Sequence, residues 1–279
     1  MDDGSTDATA AVCARYAGRI RLIVQPNAGF AAARTRGLDA TRAPLAAWHD
    51  SDDLMLPGRL AEQVAFLDAH PDVAAVSANA VVEGMDETDY LATCGLDFAG
   101  RDALVLDDAF TRLLARNFMV DPATTLRVAR FREIGGYDTS LRTGADWDLW
   151  LRMARRWPLA CLHRAAVRMR KQGDNLSASP AAVECGLRVL DRHLTDAGAI
   201  DAATRSAVRA RIWEMLANYV ITHADTTDLV WRANAARWAR HLGPGRRLAV
   251  AAAATLSRGP GRFLFALARK AGRSRRRGD

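Results

Sequence analysis

Two hydrophobic periods alternate along the first part of the chain. "TDATAAVCARYAG" (Thr6–Gly18) reads as a helix that follows a polar cap and stops at a glycine. "RIRLIVQ" (Arg19–Gln25) alternates arginine with apolar residues, then runs apolar, which predicts a strand. "NAGFAAARTRGLDATR" opens on a turn and becomes a helix. "APLAAWHD" is a short apolar run ending in acids, hence a second strand. Pro57 suits the first turn of a helix, and Leu60, Val64 and Leu67 follow at helical spacing until His70–Pro71. "VAAVSA" (Val73–Ala78) is the next strand.

Strands alternating with helices predict an α/β domain on a largely parallel sheet. Such a sheet binds ligands at the carboxyl ends of its strands. The polar clusters Asp2–Asp7 and Asp50–Asp53 fall at predicted strand C-termini. From about Ala178 the pattern becomes helical, through "SPAAVECGLRVLDRHL", "DAATRSAVRARIWEMLANYVI" and "TTDLVWRANAARWARHL". The expected organisation is an α/β domain over 1–177, a helical appendage over 178–255 and a tail over 256–279.

Charge changes the picture only at that tail. It holds eight basic residues against one acid, which accounts for the whole net charge of +7. The body is therefore not a basic nucleic-acid surface. Phe263, Leu264, Leu267 and Ala271 lie at helical spacing among the arginines, the pattern of a short basic amphipathic helix on an anionic membrane. A solvated terminus is the plainer alternative. No apolar run reaches the length of a membrane span, and the acidic start carries no leader-like apolar segment. These features predict a cytoplasmic protein, peripheral on the inner face of the plasma membrane if the tail binds lipid. The four cysteines show no ligand or disulfide spacing and read as buried thiols.

Candidate chemistry starts at "WHDSDDLMLP". Asp50 and Asp52 are two apart at a strand end, so both point to one side. Paired carboxylates repel unless a cation lies between them. Oxygen ligands of this kind suit Mg²⁺ or Mn²⁺ with a substrate phosphate. Alone, the run fits equally a solvated acidic turn with Asp53 capping the next helix. In "GADWDLWLRMARR" Trp147, Trp150, Leu151 and Ala154 form a core-facing stripe. Asp146 then sits at the helix start, where the dipole favours acids. Asp148 is about 200° round the helix, so the two acids face different surroundings.

Taken together, "DDGSTD", "NAGFAAARTRGL", "DSDDLMLP", "FREIGGYDTSLRTGADWDLWLRMA" and "RKQGDNLS" resemble, in order, signatures of the family 2 glycosyltransferases. The resemblance spans Asp2 to Ser177. It implies a GT-A fold and inverting transfer of a sugar from a nucleotide-diphosphate donor, with Mg²⁺ or Mn²⁺. It implies that Asp3 hydrogen-bonds the base, Arg34 lies near the nucleotide, and Asp50 and Asp52 meet ribose, diphosphate and metal. Asp53 and Gln172 are secondary metal candidates. Asp146 is the implied general base. The acceptor would be a glycan or a lipid-linked hydroxyl compound in bacterial surface polysaccharide or glycolipid synthesis.

The chain departs from the family pattern at three places. Ala145 stands where the family usually has Glu, Thr35 follows Arg34 in place of Asn, and Gln172 replaces a histidine between the matching Arg170 and Asn175. In the family a first strand and helix precede the DDGS turn, so the resemblance also predicts an N-terminally truncated domain. Two other readings stay open at this level. One is a non-catalytic GT-A binding or scaffold protein; the other is a nucleotidyltransferase using paired acids.

Overall fold

The computed structural model describes residues 1–84, 89–170, 180–195, 200–223, 238–242, 244–245 and 247. The tail 256–279, Gln172, Asn175 and Ser177 lie outside the described residues, as does most of the third helical stretch of the appendage. The chain divides into two compact units, Met1–Asn175 and Leu176–Asp279.

The first unit opens with α1 (Thr9–Ala14), α2 (Phe30–Asp39), β1 (Leu45–Ala47), β2 (Leu54–Met55), α3 (Arg59–Ala69) and β3 (Ala75–Val82). It continues through α4 (Tyr90–Thr93), β4 (Ala103–Leu106), α5 (Ala109–Ala115), a 3-10 turn (Asp121–Ala123), β5 (Thr125–Arg127), α6 (Val128–Glu133), α7 (Ala145–Ala154) and β6 (Leu159–Met169). The second unit contains α8 (Pro180–Thr195) and α9 (Ala202–His223).

The sheet runs β1-β5-β3-β6-β2, with β4 also on β6. It is mixed where the pattern predicts mostly parallel pairing. β3 and β6 are parallel, whereas β5 lies antiparallel between β1 and β3. β2 and β4 also join β6 antiparallel. β1, β3 and β6 therefore share one direction, as the intervening helical crossovers require. The short strands β2, β4 and β5 enter through turns and loops, which leave them free to run the other way.

Residues 19–25 do not form the predicted strand. They contribute isolated bridges, Asp2 to Val24 and Ala17 to Ile20. Ile20, Leu22 and Val24 are exposed, so the apolar run has no sheet neighbour to bury it among the described residues.

β3 is the centre of the core, buried from Ala75 to Ala80. Its two polar residues are satisfied rather than stranded. Ser77 Oγ accepts from Val120 N–H at 2.9 Å. Asn79 sits where the β3–β6 register shifts; its Oδ1 accepts from Ala80 and Leu91 N–H, and its Nδ2 donates to Asp89 at 2.7 Å. The buried face of α3 also carries polar residues. Arg59 is 2% exposed and Gln63 fully buried, while Leu60 and Val64 are exposed. Arg59 donates to the Trp48 carbonyl at 2.6 Å and Gln63 to the Ala123 carbonyl at 2.6 Å. α3 thus pins the exit of β1 to the 3-10 turn before β5.

Candidate functional site

Two carboxylate centres form, one in the turn after β1 and one in the first turn of α7, and Arg34 from α2 interacts electrostatically with both. The first is the turn after β1. Asp53 N–H donates back to the Asp50 carbonyl at 3.2 Å, which folds Asp50, Asp52 and Asp53 around one point. An oxygen from each of the three lies within 4.8 Å of the others. Burial pushes the Asp53 carboxyl up, opposed by the Arg170 N–H and reinforced by Asp52 and Asp50. Asp53 is not the helix cap that the sequence suggests. Gly58 occupies the N-cap of α3, and Asp53 Oδ1 accepts instead from Arg170 N–H at 3.1 Å. Asp52 is exposed and takes no hydrogen bond or ion pair from the described residues.

Arg34 reaches this turn from the middle of α2. Its guanidinium pairs with Asp50 and with Asp121 of the 3-10 turn. Its position is fixed by the aromatic faces of Trp48 and Phe30, whose centroids lie 5.1 and 5.4 Å away. Asp121 Oδ1 is buried in the same place, where Arg34 also interacts with the Tyr137 hydroxyl. One guanidinium shared between two acids leaves the turn with surplus negative charge. A set of three oxygen donors with unpaired charge fits a hard divalent cation such as Mg²⁺ or Mn²⁺. Asp50, Asp52 and Asp53 are the residues that would hold it. Gln172, the other candidate ligand, lies outside the described residues.

The second centre is Asp146, in the first turn of α7. Gly144 caps that helix with φ at +71°, a conformation that a side chain would strain. Trp147, Trp150, Leu151 and Ala154 are buried as the stripe predicts, and Trp147 Nε1 donates to the Leu113 carbonyl at 2.8 Å. This anchoring fixes Asp146 at the edge of the core. Burial pushes its carboxyl up, against hydrogen bonding from Trp147 N–H, the charge of Arg34 and hydrogen bonding from Asn117. Asp148 has a different fate. It is fully buried and pairs with Arg152 at 2.7 Å, so the two acids do separate.

Asp3 is placed at the start of a turn rather than left open. Its Oδ1 accepts from Gln25 Nε2 at 2.6 Å and Ala28 N–H at 2.9 Å, and its Oδ2 from Gly29 N–H at 2.8 Å. Burial raises this carboxyl, but hydrogen bonds from Ala28, Gln25 and Gly29 outweigh it and hold the group below its ordinary value. The neighbouring Gly4 has φ at +78°, and a Cβ there would stand 2.8 Å from the Asn27 nitrogen. The loop 25–29 that leads into α2, and hence to Arg34, is therefore shaped from the DDGS turn. A cavity of about 520 Å³ lined by Gln25, Asn27, Thr35, Arg36, Asp39 and Thr139 opens beside this loop and shares no residue with the acidic turn. The sequence reading missed Asp121 and Asn117. Neither lies in a periodic segment, and both act across long sequence separations.

Comparison with known proteins bears on the family and the fold. The model for Glycosyl transferase family 2 matches residues 1–123. The chain is 28% identical over 177 residues to the amylovoran biosynthesis glycosyltransferase AmsE of Erwinia amylovora, covering 62% of this chain and 63% of that protein. It is 32% identical over 160 residues to EpsE of Bacillus subtilis (strain 168), covering 54% of this chain and 53% of that one. The chain thus spans less than two thirds of the length of either relative. The crystal structure of S. aureus TarS 1–349 in complex with UDP-GlcNAc superposes with a TM-score of 0.66 at 15% identity, covering 98% of this chain and 81% of that one. Among the described residues no helix is long and apolar enough to cross a membrane. Residues 1–123 thus match glycosyltransferase family 2, the related sequences are named as glycosyltransferases, and the chain shares its GT-A fold with TarS.

Proposed function

We propose that this chain transfers a glycosyl group from a nucleotide-diphosphate sugar to a hydroxyl acceptor, with inversion at the anomeric carbon. The observation that carries this reading is the pairing of an oxygen-lined turn at Asp50–Asp53 with a separate, half-buried carboxylate at Asp146. A diphosphate leaving group and an incoming hydroxyl need opposite help. One develops negative charge, and the other must lose a proton.

In this reading the acceptor hydroxyl gives its proton to the Asp146 carboxylate as its oxygen bonds the anomeric carbon. The bond from that carbon to the diphosphate oxygen breaks on the opposite face, and its electron pair leaves with the diphosphate. Burial raises Asp146 towards neutrality and makes it a stronger base than an exposed aspartate. Arg34, held over Trp48 and Phe30, places positive charge between the two centres. A divalent cation on Asp50, Asp52 and Asp53 would neutralise the charge developing on the diphosphate. Asp3 shapes the loop in front of α2 and contributes to the nucleotide end of the site through it.

The UDP-GlcNAc bound to TarS supports a uridine diphosphate sugar as donor. The polysaccharide named in the AmsE relative supports a glycan or lipid-linked acceptor in surface polysaccharide synthesis. Calorimetric titration with UDP, with and without Mn²⁺, tests the donor half. Wild-type chain is expected to bind UDP tightly only with Mn²⁺, and Asp52→Asn to lose that dependence while staying folded. Equal UDP affinity in the mutant would remove the acidic turn from the site.

A further inference from the structure

The residue that aims Asp146 lies outside every sequence signature. Asn117 belongs to the link between α5 and the 3-10 turn. Its Nδ2 donates to Asp146 Oδ2 at 3.2 Å, across 29 positions of sequence. Its Oδ1 accepts from the Met119 N–H, also at 3.2 Å. The second contact decides the first. A flipped amide would set its oxygen against a carboxylate and its NH₂ against an N–H, so the donor end must face Asp146. The link cannot drift away either. Phe118, Met119 and Val120 are buried, and Val120 N–H is held by Ser77 Oγ at 2.9 Å.

The choice of an amide has a chemical consequence. A lysine or arginine in this place would stabilise the ionised carboxylate strongly and weaken it as a base. An amide fixes one oxygen and adds no charge. The charged and titratable groups facing Asp146 from its neighbours are Arg34 on α2, Tyr90 on α4 and Tyr137 after α6. Of these Arg34 is the cation, and Asp50 and Asp121 already engage it.

We propose that Asn117 is the positioning residue of the general base: its Nδ2 holds Asp146 Oδ2, alongside the Trp147 N–H that also bonds this carboxylate, and so sets the orientation in which the carboxylate takes the proton of the acceptor hydroxyl. This rests on the reading of Asp146 as the base. Geometry of this kind matters because a base must meet its proton within hydrogen-bonding reach and alignment.

Two measurements on the full chain test it. The first is UDP release from UDP-GlcNAc with Mn²⁺ and water as acceptor, across the pH range, for wild type, Asn117→Asp, Asn117→Ala, Asp146→Asn and the Asn117→Ala/Asp146→Asn pair. The second is NMR titration of the Asp146 carboxyl carbon, assigned by its loss in Asp146→Asn. Asn117→Asp keeps the side-chain shape and the Met119 contact, so it guards against a folding defect in Asn117→Ala. Asn117→Asp is expected to raise the Asp146 midpoint by about one pH unit or more, through loss of a donor and gain of a like charge. It should move the acid limb of UDP release upward with it. Asn117→Ala is expected to lower the turnover number roughly 10-fold with UDP affinity unchanged, and to cost nothing further in the Asp146→Asn background. An Asp146 midpoint that stays put in both Asn117 variants overturns the assignment, whether or not UDP-GlcNAc is turned over. A rate unaffected by Asp146→Asn sinks the base reading instead, and the titration then still judges the Asn117 contact.

Discussion

Asp3 shows how one residue can keep its place in a motif while doing structural work. Its carboxylate closes the loop 25–29 through Gln25, Ala28 and Gly29. Asp3→Ala should cost about 1–2 kcal/mol, the scale of losing charge-assisted hydrogen bonds that water partly screens. The pH sign follows from a carboxyl held below its ordinary value. Its contribution is present above the unfolded pKa of about 3.9 and is lost as pH falls through the lower folded value. Thermal melts of mutant and wild type should therefore differ at pH 7 and converge in strong acid; identical melts at pH 7 would contradict the role. At this scale Asp50, Asp52 and Asp146 stand out in the sequence as candidates because each sits in a contiguous motif. Asp121 and Asn117 do not. Their meaning comes from Arg34 and Asp146, which reach them only after the chain has folded.

Elements were legible where one period ran for two turns or more. α7 buries the stripe its spacing predicts, and Asp148 with it, while Asp146 stays half-buried in the first turn. Asp148 is fully buried on Arg152, whose guanidinium also reaches the carbonyls of Ile134 and Gly136. Asp148→Ala should cost about 1–3 kcal/mol, because Arg152 loses its ion pair but keeps two carbonyl acceptors. Asp146→Asn should leave stability level or higher, since burial already disfavours its charged form. Denaturant unfolding of both mutants checks this, and equal losses would undo the separation of roles. α3 shows why periodicity fails elsewhere. Leu60, Val64 and Leu67 suggest an apolar face, yet the buried positions are Arg59, Gln63 and Leu67. The carbonyls of Trp48 and Ala123 need donors more than the core needs two further side chains. Burial pulls the Arg59 guanidinium down to about 10, with Asp50 acting in the opposite direction. The three-residue β5 carries too little pattern to predict its reversed direction.

For the whole molecule, the acidic turn and Asp146 both lie within the unit Met1–Asn175. The basic stretch 256–279 is read from sequence alone. If it binds anionic membranes, phosphatidylserine vesicles should pellet the full chain at low salt and release it at high salt. A chain ending at Ser257 should stay in solution, and equal pelleting of both would rule the stretch out. The central claim is that donor binding and proton removal belong to different carboxylates of one site. It is tested most directly by comparing Asp146→Asn with wild type in two assays on one preparation: Mn²⁺-dependent UDP binding, and UDP release from UDP-GlcNAc. The account predicts unchanged binding and a loss of release of about 10²–10⁴-fold. Release within a factor of about two or three of wild type, against that scale, would contradict it and leave Asp146 as an acid that only starts a helix.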